Sequence, residues 1–370
     1  MRLSEYAPPY IRGIAPYQPG KPISELAREL NLDEATIVKL ASNENPLGIS
    51  PRALAAIRGA LDDLARYPDG NGFELKQALM RRYGVAMESL VLGNGSNDVL
   101  DLAARAFLSP DTEAVYSQHA FAVYPLAVQA IGARGIEVPA RNYGHDLDAM
   151  ARAVTAHTRL VFIANPNNPT ATIVTADEFD HFMARVPDRT IVVVDEAYVE
   201  FAHGPDFPDT FSYVRQGRKI VVLRTFSKAN SLAGLRLGYA VADPDAIALL
   251  NRIRQPFNVN SLAQAAGLAA LDDEHHVVEC VRMNEAGKAY LYEQFRELGV
   301  RYVPSRANFI LVDVGRSAAD IYQKLLHEGL IVRPMTAFGM ETALRITVGT
   351  PDENRRLVKG LRAVLGSKRA

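Results

Sequence analysis

A lysine, a serine and an arginine lie close together in a segment that could hold a phosphorylated aldehyde. The segment 219–223, which is aliphatic from residue 220 onward, predicts a buried strand that leads into Ser227 and Lys228, and Arg236 follows eight residues after Lys228. A lysine at the end of a buried strand is partly desolvated, which favours the neutral amine that forms a Schiff base. The hydroxyl of Ser227 and the guanidinium of Arg236 are suited to one phosphate group. These are the groups that hold pyridoxal 5′-phosphate in proteins.

Two further predicted strand ends carry partners for the same cofactor. Gly95 and Ser96 follow a strand at 90–92 and begin a helix, so their backbone N–H groups could face a phosphate. Asn168 lies in the loop 165–170, which follows a strand at 160–164 and contains three asparagines and two prolines. Either segment could instead be a simple turn, with Ser96 or Asn97 capping the helix in the first case.

An acidic residue follows a further predicted strand, at 191–194. Asp195 comes directly after the aliphatic run 191–194, and Tyr198 lies three residues further on. A carboxylate at the end of a buried strand is costly unless a cation faces it, and a protonated pyridine nitrogen is such a cation. The competing interpretation is a Mg²⁺ site at Asp195 and Glu196, but this requires a phosphate-binding G-x-x-x-x-G-K-[ST] motif that the sequence lacks. We expect no metal site.

The elements that must position these residues alternate between strands and helices from about residue 90 to 241. This alternation predicts an α/β fold with a mostly parallel sheet between two helical layers and with ligands at the carboxyl ends of its strands. We predict an N-terminal arm at 1–40 that packs with the small domain, a large cofactor-binding domain at 41–260 and a small α+β domain at 261–370. The small domain begins with the interdomain helix.

Composition excludes several functional classes. The 370 residues carry a formal net charge of −1, so general binding to nucleic acid is not expected. No apolar run reaches the length of a membrane helix, and the first residues contain no apolar signal segment. Cys280 is the single cysteine, which fits a reducing compartment. We therefore expect a cytoplasmic protein that acts on small molecules.

The motifs together resemble the fold-type I, class II aminotransferases that depend on pyridoxal phosphate, and among them the histidinol-phosphate aminotransferases. The resemblance runs through the whole chain and is carried by these segments: 40–48 (LASNENPLG), 66–69 (RYPD), 93–96 (GNGS), 165–170 (NPNNPT), 195–198 (DEAY), 224–229 (RTFSKA), 234–239 (GLRLGY), 305–309 (SRANF) and 345–350 (RITVGT). It implies transamination between L-histidinol phosphate and 2-oxoglutarate in histidine biosynthesis. Alternatives of the same fold are an aromatic-amino-acid aminotransferase and a threonine-phosphate decarboxylase.

The resemblance also implies a role for each site residue. Lys228 would bond to the cofactor and move protons. Asp195 would pair with the ring nitrogen, Asn168 and Tyr198 would face the ring oxygen, and Phe121, with Tyr124 as the alternative, would stack on the ring. The cofactor phosphate would be bound by Gly95, Ser96, Ser227, Arg236 and, from the second subunit of a homodimer, Tyr67. The substrate would be bound by Arg345, Arg333, Tyr17 and Asn43.

The chain departs from the family pattern at two positions. Ala171 stands where the family usually has glycine, which would be unfavourable if the backbone there has a positive φ. The segment His119-Ala120-Phe121 replaces the usual Pro-Thr-Tyr. We interpret His119 as a residue at the start of a helix predicted over 120–131, and the alternative is a functional side chain.

Overall fold

Short aliphatic strands form the centre of the molecule. The computed structural model describes residues 2–202 and 204–366. Its strands are β1 (Val38–Lys39), β2 (Leu90–Asn94), β3 (Glu113–Ser117), β4 (Arg134–Val138), β5 (Thr158–Ala164), β6 (Ile191–Asp195), β7 (Ile220–Thr225), β8 (Leu237–Ala242), β9 (Arg301–Tyr302), β10 (Phe309–Asp313), β11 (Leu330–Ile331), β12 (Arg333–Pro334) and β13 (Ala343–Thr347).

Helices precede, connect and cover these strands. They are α1 (Pro9–Arg12), α2 (Ile23–Leu30), α3 (Pro51–Gly59), α4 (Phe73–Tyr83), α5 (Ser96–Phe107), α6 (Val123–Ile131), α7 (Leu147–Ala153), α8 (Ala176–Arg185), α9 (Thr210–Arg215), α10 (Pro244–Ile253), α11 (Ser261–Leu271), α12 (Glu274–Glu297), α13 (Ala318–His327) and α14 (Pro351–Gly366). Within the described part of the chain, no helix combines the length and apolarity that a membrane crossing requires.

Seven strands form the larger sheet in the order β2-β8-β7-β6-β5-β3-β4. The strands β7, β6, β5, β3 and β4 run parallel, and β8 is antiparallel to both of its neighbours. Val192 and Val194 face one hydrophobic core, whereas Val193 faces a second core on the other side. Both faces of β6 are therefore buried, which explains its lack of polar alternation. The predicted α/β class with a mostly parallel, helix-covered sheet is confirmed.

The second sheet is antiparallel and has the order β12-β13-β10-β9. A third hydrophobic core lies between this sheet and the helices α12, α13 and α14, and it includes Phe295, Ile310 and Leu357. The N-terminal segment contacts the same region, because β1 pairs in parallel with β11 and because Leu26 of α2 packs with Ile331. The boundaries at 40/41 and 260/261 stay predictions.

Two helices differ from the expectation: one begins later than predicted, and one lies where no helix is predicted. The helix predicted over 120–131 begins only at Val123, because residues 118–122 form a turn in which His119 has a φ of +54°. The predicted assignment of His119 to the helix start is therefore wrong. Helix α10 was not predicted, although Asp243 caps it and Pro244 occupies its first turn.

Candidate active site

The carboxyl ends of the strands meet at one cavity. Its wall contains Ser96 after β2, Asn168 after β5, Asp195 at the end of β6 and Lys228 after β7. The four-stranded sheet contributes Arg345 from β13 to the same cavity. The structure thus brings together the strand-end residues on which the cofactor hypothesis depends. Parallel strands present their carboxyl ends at one edge of a sheet, so local sequence and topology together produce this arrangement.

Lys228 points into the cavity with few polar contacts. Its Nζ donates a hydrogen bond of 3.4 Å to the carbonyl of Ser42 and lies 5.4 Å from the ring centroid of Tyr198. This weak hydrogen bond is the one that its Nζ makes within the described residues, and it leaves the amine able to react with a ligand that enters the cavity.

Asp195 is buried beside a tyrosine. The hydroxyl of Tyr124 donates to Oδ2 of Asp195 at 3.1 Å, and the N–H of Ala197 donates to Oδ1 at 3.2 Å. Burial raises the pKa of Asp195 to about 6, although both hydrogen bonds and the charge of Lys228 act to lower it. The carboxylate therefore lacks a full cationic partner within the described chain, and a cationic ligand atom would supply one.

Three loops form a pocket for an anion. Nη1 of Arg236 lies 3.5 Å from Oγ of Ser227, which also accepts a hydrogen bond of 2.9 Å from the Thr225 hydroxyl. Gly95 has a φ of +81°, and a Cβ at this position would collide with the Arg236 guanidinium. Ser96 begins α5 next to Gly95. The helix N-terminus, two hydroxyls and a guanidinium are together suited to a phosphate.

A chain of polar side chains borders the other side of the cavity. Nδ2 of Asn43 donates to the hydroxyl of Tyr198 at 2.9 Å, and the N–H of Asn43 donates to Oγ1 of Thr347 at the same distance. Oδ1 of Asn168 accepts a hydrogen bond of 2.7 Å from Nη1 of Arg345. Asn43, Asn168 and Tyr198 are therefore held in place by contacts within the protein itself.

Arg345 is a buried cation that faces the cavity. Its Nη2 donates to the carbonyl of Ala41 at 2.6 Å, whereas its buried Nε has no hydrogen-bond partner within the described residues. Burial lowers the pKa of Arg345, and Arg333 lowers it further, although Tyr198 and Tyr17 act in the opposite direction. None of these neighbours is a carboxylate, so an anionic ligand would complete this environment.

Arg333 and Tyr17 lie beside Arg345. Arg333 and Arg345 are register partners in β12 and β13, and the Arg333 guanidinium lies 5.7 Å from the ring centroid of Tyr17. A hydrogen bond from Arg333 to the carbonyl of Gln18 fixes the N-terminal segment at the cavity. The four residues predicted to bind the substrate all line the cavity: Tyr17, Asn43, Arg333 and Arg345.

Two aromatic residues of the sequence hypothesis occupy different environments. Phe121 lines the cavity and packs edge-on against Tyr124, with ring centroids 5.9 Å apart. Tyr67 is 82% exposed and stacks on Phe257 with the ring centroids 4.7 Å apart. Tyr67 does not line the cavity of its own chain, as expected if it serves a second copy of the chain.

Several residues that line the cavity were not assigned to the site from the sequence, among them Asn97, Thr225 and Phe338. Asn97 and Thr225 adjoin motifs that the sequence does reveal, so their positions could have indicated them. Phe338 lies in a turn between β12 and β13 and carries no local signal of function. Ala171 has a φ of +61°, so the position usually filled by glycine does have the left-handed backbone in this chain.

Comparisons with known proteins identify the family of the chain. Residues 35–361 match the family model described as aminotransferase class I and II. The histidinol-phosphate aminotransferase 2 of Pseudomonas fluorescens strain Pf-5 is 56% identical over 359 residues, which cover 97% of each chain. The enzyme of the same name from Pseudomonas aeruginosa is 55% identical, again over 97% of each chain.

A solved structure of a relative has the same fold. The histidinol-phosphate aminotransferase of Sinorhizobium meliloti, determined in complex with pyridoxal 5′-phosphate, superposes with a TM-score of 0.89 at 27% identity and covers 98% of each chain. The chain belongs to the aminotransferase class I and II family.

Proposed function

We propose that this protein transfers an amino group between L-histidinol phosphate and 2-oxoglutarate with pyridoxal 5′-phosphate as cofactor. The observation that carries the proposal is a cavity with two separate anion-binding groups. Ser227 and Arg236 lie at the seven-stranded sheet, whereas Arg345 and Arg333 lie on the four-stranded sheet. A phosphorylated cofactor and a phosphorylated substrate would together use both groups.

The residues of the first group fit the cofactor. We assign its phosphate to Gly95, Ser96, Ser227 and Arg236, where the glycine leaves room that a side chain would fill. We assign its ring nitrogen to Asp195, whose raised pKa reflects the lack of a cationic partner. When bound, pyridoxal phosphate draws electrons from the substrate carbon that carries the amine.

Side chains of the cavity orient the ring and move protons. Asn168 and Tyr198 would hold the ring oxygen, and Phe121 would pack on the ring face. Lys228 would bond to the cofactor and, once displaced by the substrate amine, would move the proton at the substrate carbon. Its sparse hydrogen bonding leaves its Nζ free for both tasks.

The second group of cations would select the substrate. Arg345 and Arg333, with Tyr17 and Asn43, would bind the phosphate of histidinol phosphate in one half-reaction and a carboxylate of 2-oxoglutarate in the other. The bidentate geometry of arginine suits both anions. The relatives named above support histidinol phosphate as the amino donor.

A panel of amino acceptors tests the substrate assignment. With glutamate as donor, kcat/KM should be highest for imidazole-acetol phosphate and lower for phenylpyruvate and for imidazole-acetol without its phosphate. A preference for phenylpyruvate would instead indicate the aromatic aminotransferase. Release of CO₂ from threonine phosphate would indicate the decarboxylase.

We also propose that the active unit is a homodimer with shared sites. The exposed pair of Tyr67 and Phe257 supports this proposal, since aromatic residues are enriched at protein–protein interfaces. Mixed dimers of Lys228→Ala and Tyr67→Ala chains should contain one site free of both substitutions. Recovery of activity on mixing, together with a dimer mass by analytical ultracentrifugation, would support the sharing of sites, and a monomer mass would contradict it.

A further inference from the structure

His119 has a left-handed backbone conformation, which is uncommon for residues other than glycine. It lies between β3 and α6 with a φ of +54°, a region that costs a residue with a side chain about 1–2 kcal/mol. Its carbonyl accepts a hydrogen bond of 2.9 Å from Nδ2 of Asn167. Asn167 precedes the cavity residue Asn168, so the turn at His119 is fixed to the loop that faces the ligand. Strained residues of this kind concentrate at functional sites.

The imidazole of His119 extends to the other sheet. Its Nδ1 lies 2.7 Å from the carbonyl oxygen of Phe338, between β12 and β13. Because a carbonyl only accepts hydrogen bonds, Nδ1 carries the proton and donates. The bond joins two residues that are 219 positions apart in the chain.

Phe338 forms part of the cavity wall. It ends a short 3₁₀ turn at Thr336–Phe338, and it packs with Met335 and Met340. The turn is closed by hydrogen bonds from the N–H groups of Phe338 and Met340 to the carbonyl of Met335, at 2.9 and 3.2 Å. These bonds set the shape of the turn, whereas the bond from His119 sets its position relative to the larger sheet.

We propose that His119 is a positioning residue that holds Phe338 in the wall of the substrate pocket. This inference deepens the proposed function and rests on it for the identity of the substrate. The hydrogen bond between Arg345 and Asn168 also joins the two sheets, through a partly buried contact. The bond of His119 joins them through the turn that carries Phe338. Loss of the His119 bond should therefore loosen the turn while the Arg345 contact persists.

Three substitutions of His119 distinguish the effect of its hydrogen bond from the effect of its backbone strain. The amide nitrogen of asparagine occupies the place of Nδ1, one bond beyond Cγ, and asparagine tolerates a positive φ. His119→Asn should therefore keep the bond. His119→Asp tolerates the same backbone but presents an acceptor to the carbonyl when ionised, and His119→Gly removes the side chain together with the strain. If the aspartate variant fails to fold, the glycine variant makes the same test.

Hydrogen exchange followed by mass spectrometry tests, without any substrate, whether His119 holds the turn that carries Phe338. The amides of Phe338 and Met340 should exchange at least about threefold faster in His119→Asp and His119→Gly than in the parent protein, because the loss of one hydrogen bond favours opening of the turn. They should exchange at the parent rate in His119→Asn. Equal exchange in all four proteins would overturn the proposal.

Steady-state kinetics test the effect on the substrate pocket. KM for the phosphorylated substrate should rise about tenfold in the aspartate and glycine variants, as expected for one lost hydrogen bond, while kcat changes little. The asparagine variant should restore the parent KM. Faster exchange with an unchanged KM would overturn the positioning role. If the parent enzyme turns over none of the proposed substrates, the proposed function fails, and the exchange result still decides whether His119 holds the turn.

Discussion

Nη1 of Arg345 donates a hydrogen bond of 2.7 Å to Oδ1 of Asn168 and so connects the two sheets across the cavity. Arg345 belongs to β13 of the four-stranded sheet, and Asn168 follows β5 of the larger sheet. The same asparagine is proposed to face the cofactor ring. The residue that would bind the substrate anion is thus in direct contact with one that would position the cofactor.

Substitution of Arg345 should impair catalysis without loss of stability. Arg345→Gln removes the buried charge that would bind the substrate anion, so kcat/KM should fall at least about 100-fold. Stability of the cofactor-free protein should change little, because removal of a buried charge that has no acidic partner among the described residues offsets the loss of its hydrogen bonds to Asn168 and Ala41. Steady-state assays and urea unfolding measure the two effects, with the exposed Arg152→Gln as control. A loss of kcat/KM below about threefold, comparable to a single weak contact, would contradict the assignment.

Substitution of Lys228 should abolish covalent retention of the cofactor. Lys228→Ala and the charge-preserving Lys228→Arg should both lower turnover by at least about 10³-fold, because neither side chain can bond to the aldehyde or act as the base. Borohydride reduction and peptide mass analysis should locate the cofactor on Lys228 in the parent protein and should find no bound cofactor in either Lys228 variant. Lys219→Ala, just before the same strand, is the control. Cofactor mass on the Lys228→Arg chain would show that another lysine holds it.

The raised pKa of Asp195 predicts a pH-dependent cost in stability. The pKa of Asp195 in the folded protein, about 6, lies above the ordinary value of 3.8. Its contribution to the free energy of unfolding is therefore most favourable below pH 3.8 and is lost as the pH rises through 6. Asp195→Asn removes this cost. We expect the cofactor-free variant to gain stability relative to the parent between about pH 4.5 and pH 8, by up to about 3 kcal/mol.

Urea unfolding of both cofactor-free proteins at several pH values measures this difference. The same variant should bind the cofactor more weakly, since it lacks the charge opposite the ring nitrogen. A stability difference that does not change with pH would show that Asp195 is not destabilised by burial.

The left-handed backbone at Ala171 predicts different effects for two substitutions. Ala171→Val should destabilise the protein by about 2 kcal/mol or more, because a β-branched side chain is poorly tolerated at a φ of +61°. Ala171→Gly should change stability by less than about 1 kcal/mol, since relief of strain is offset by the entropy of the unfolded chain. Urea midpoints measure both values. A valine variant as stable as the parent would mean that this backbone conformation is not maintained.

Much of the site follows from local sequence. The aliphatic runs that lead to Asp195 and Ser227 predict buried parallel strands, and parallel strands place their carboxyl ends at one edge of the sheet. Asp195, Lys228, Asn168 and Ser96 can therefore be grouped from the order of strands and helices alone. Short elements such as β1 could not be predicted, because two residues carry no periodic signal.

The sequence by itself determined the fold class and the chemistry of the strand ends. Only the tertiary structure decided which partners meet across the cavity. The pairs Tyr124–Asp195, Arg345–Asn168 and His119–Phe338 each join residues from separate elements. Periodicity and turn chemistry report on neighbours within one element, whereas these contacts depend on how the elements and the two sheets pack.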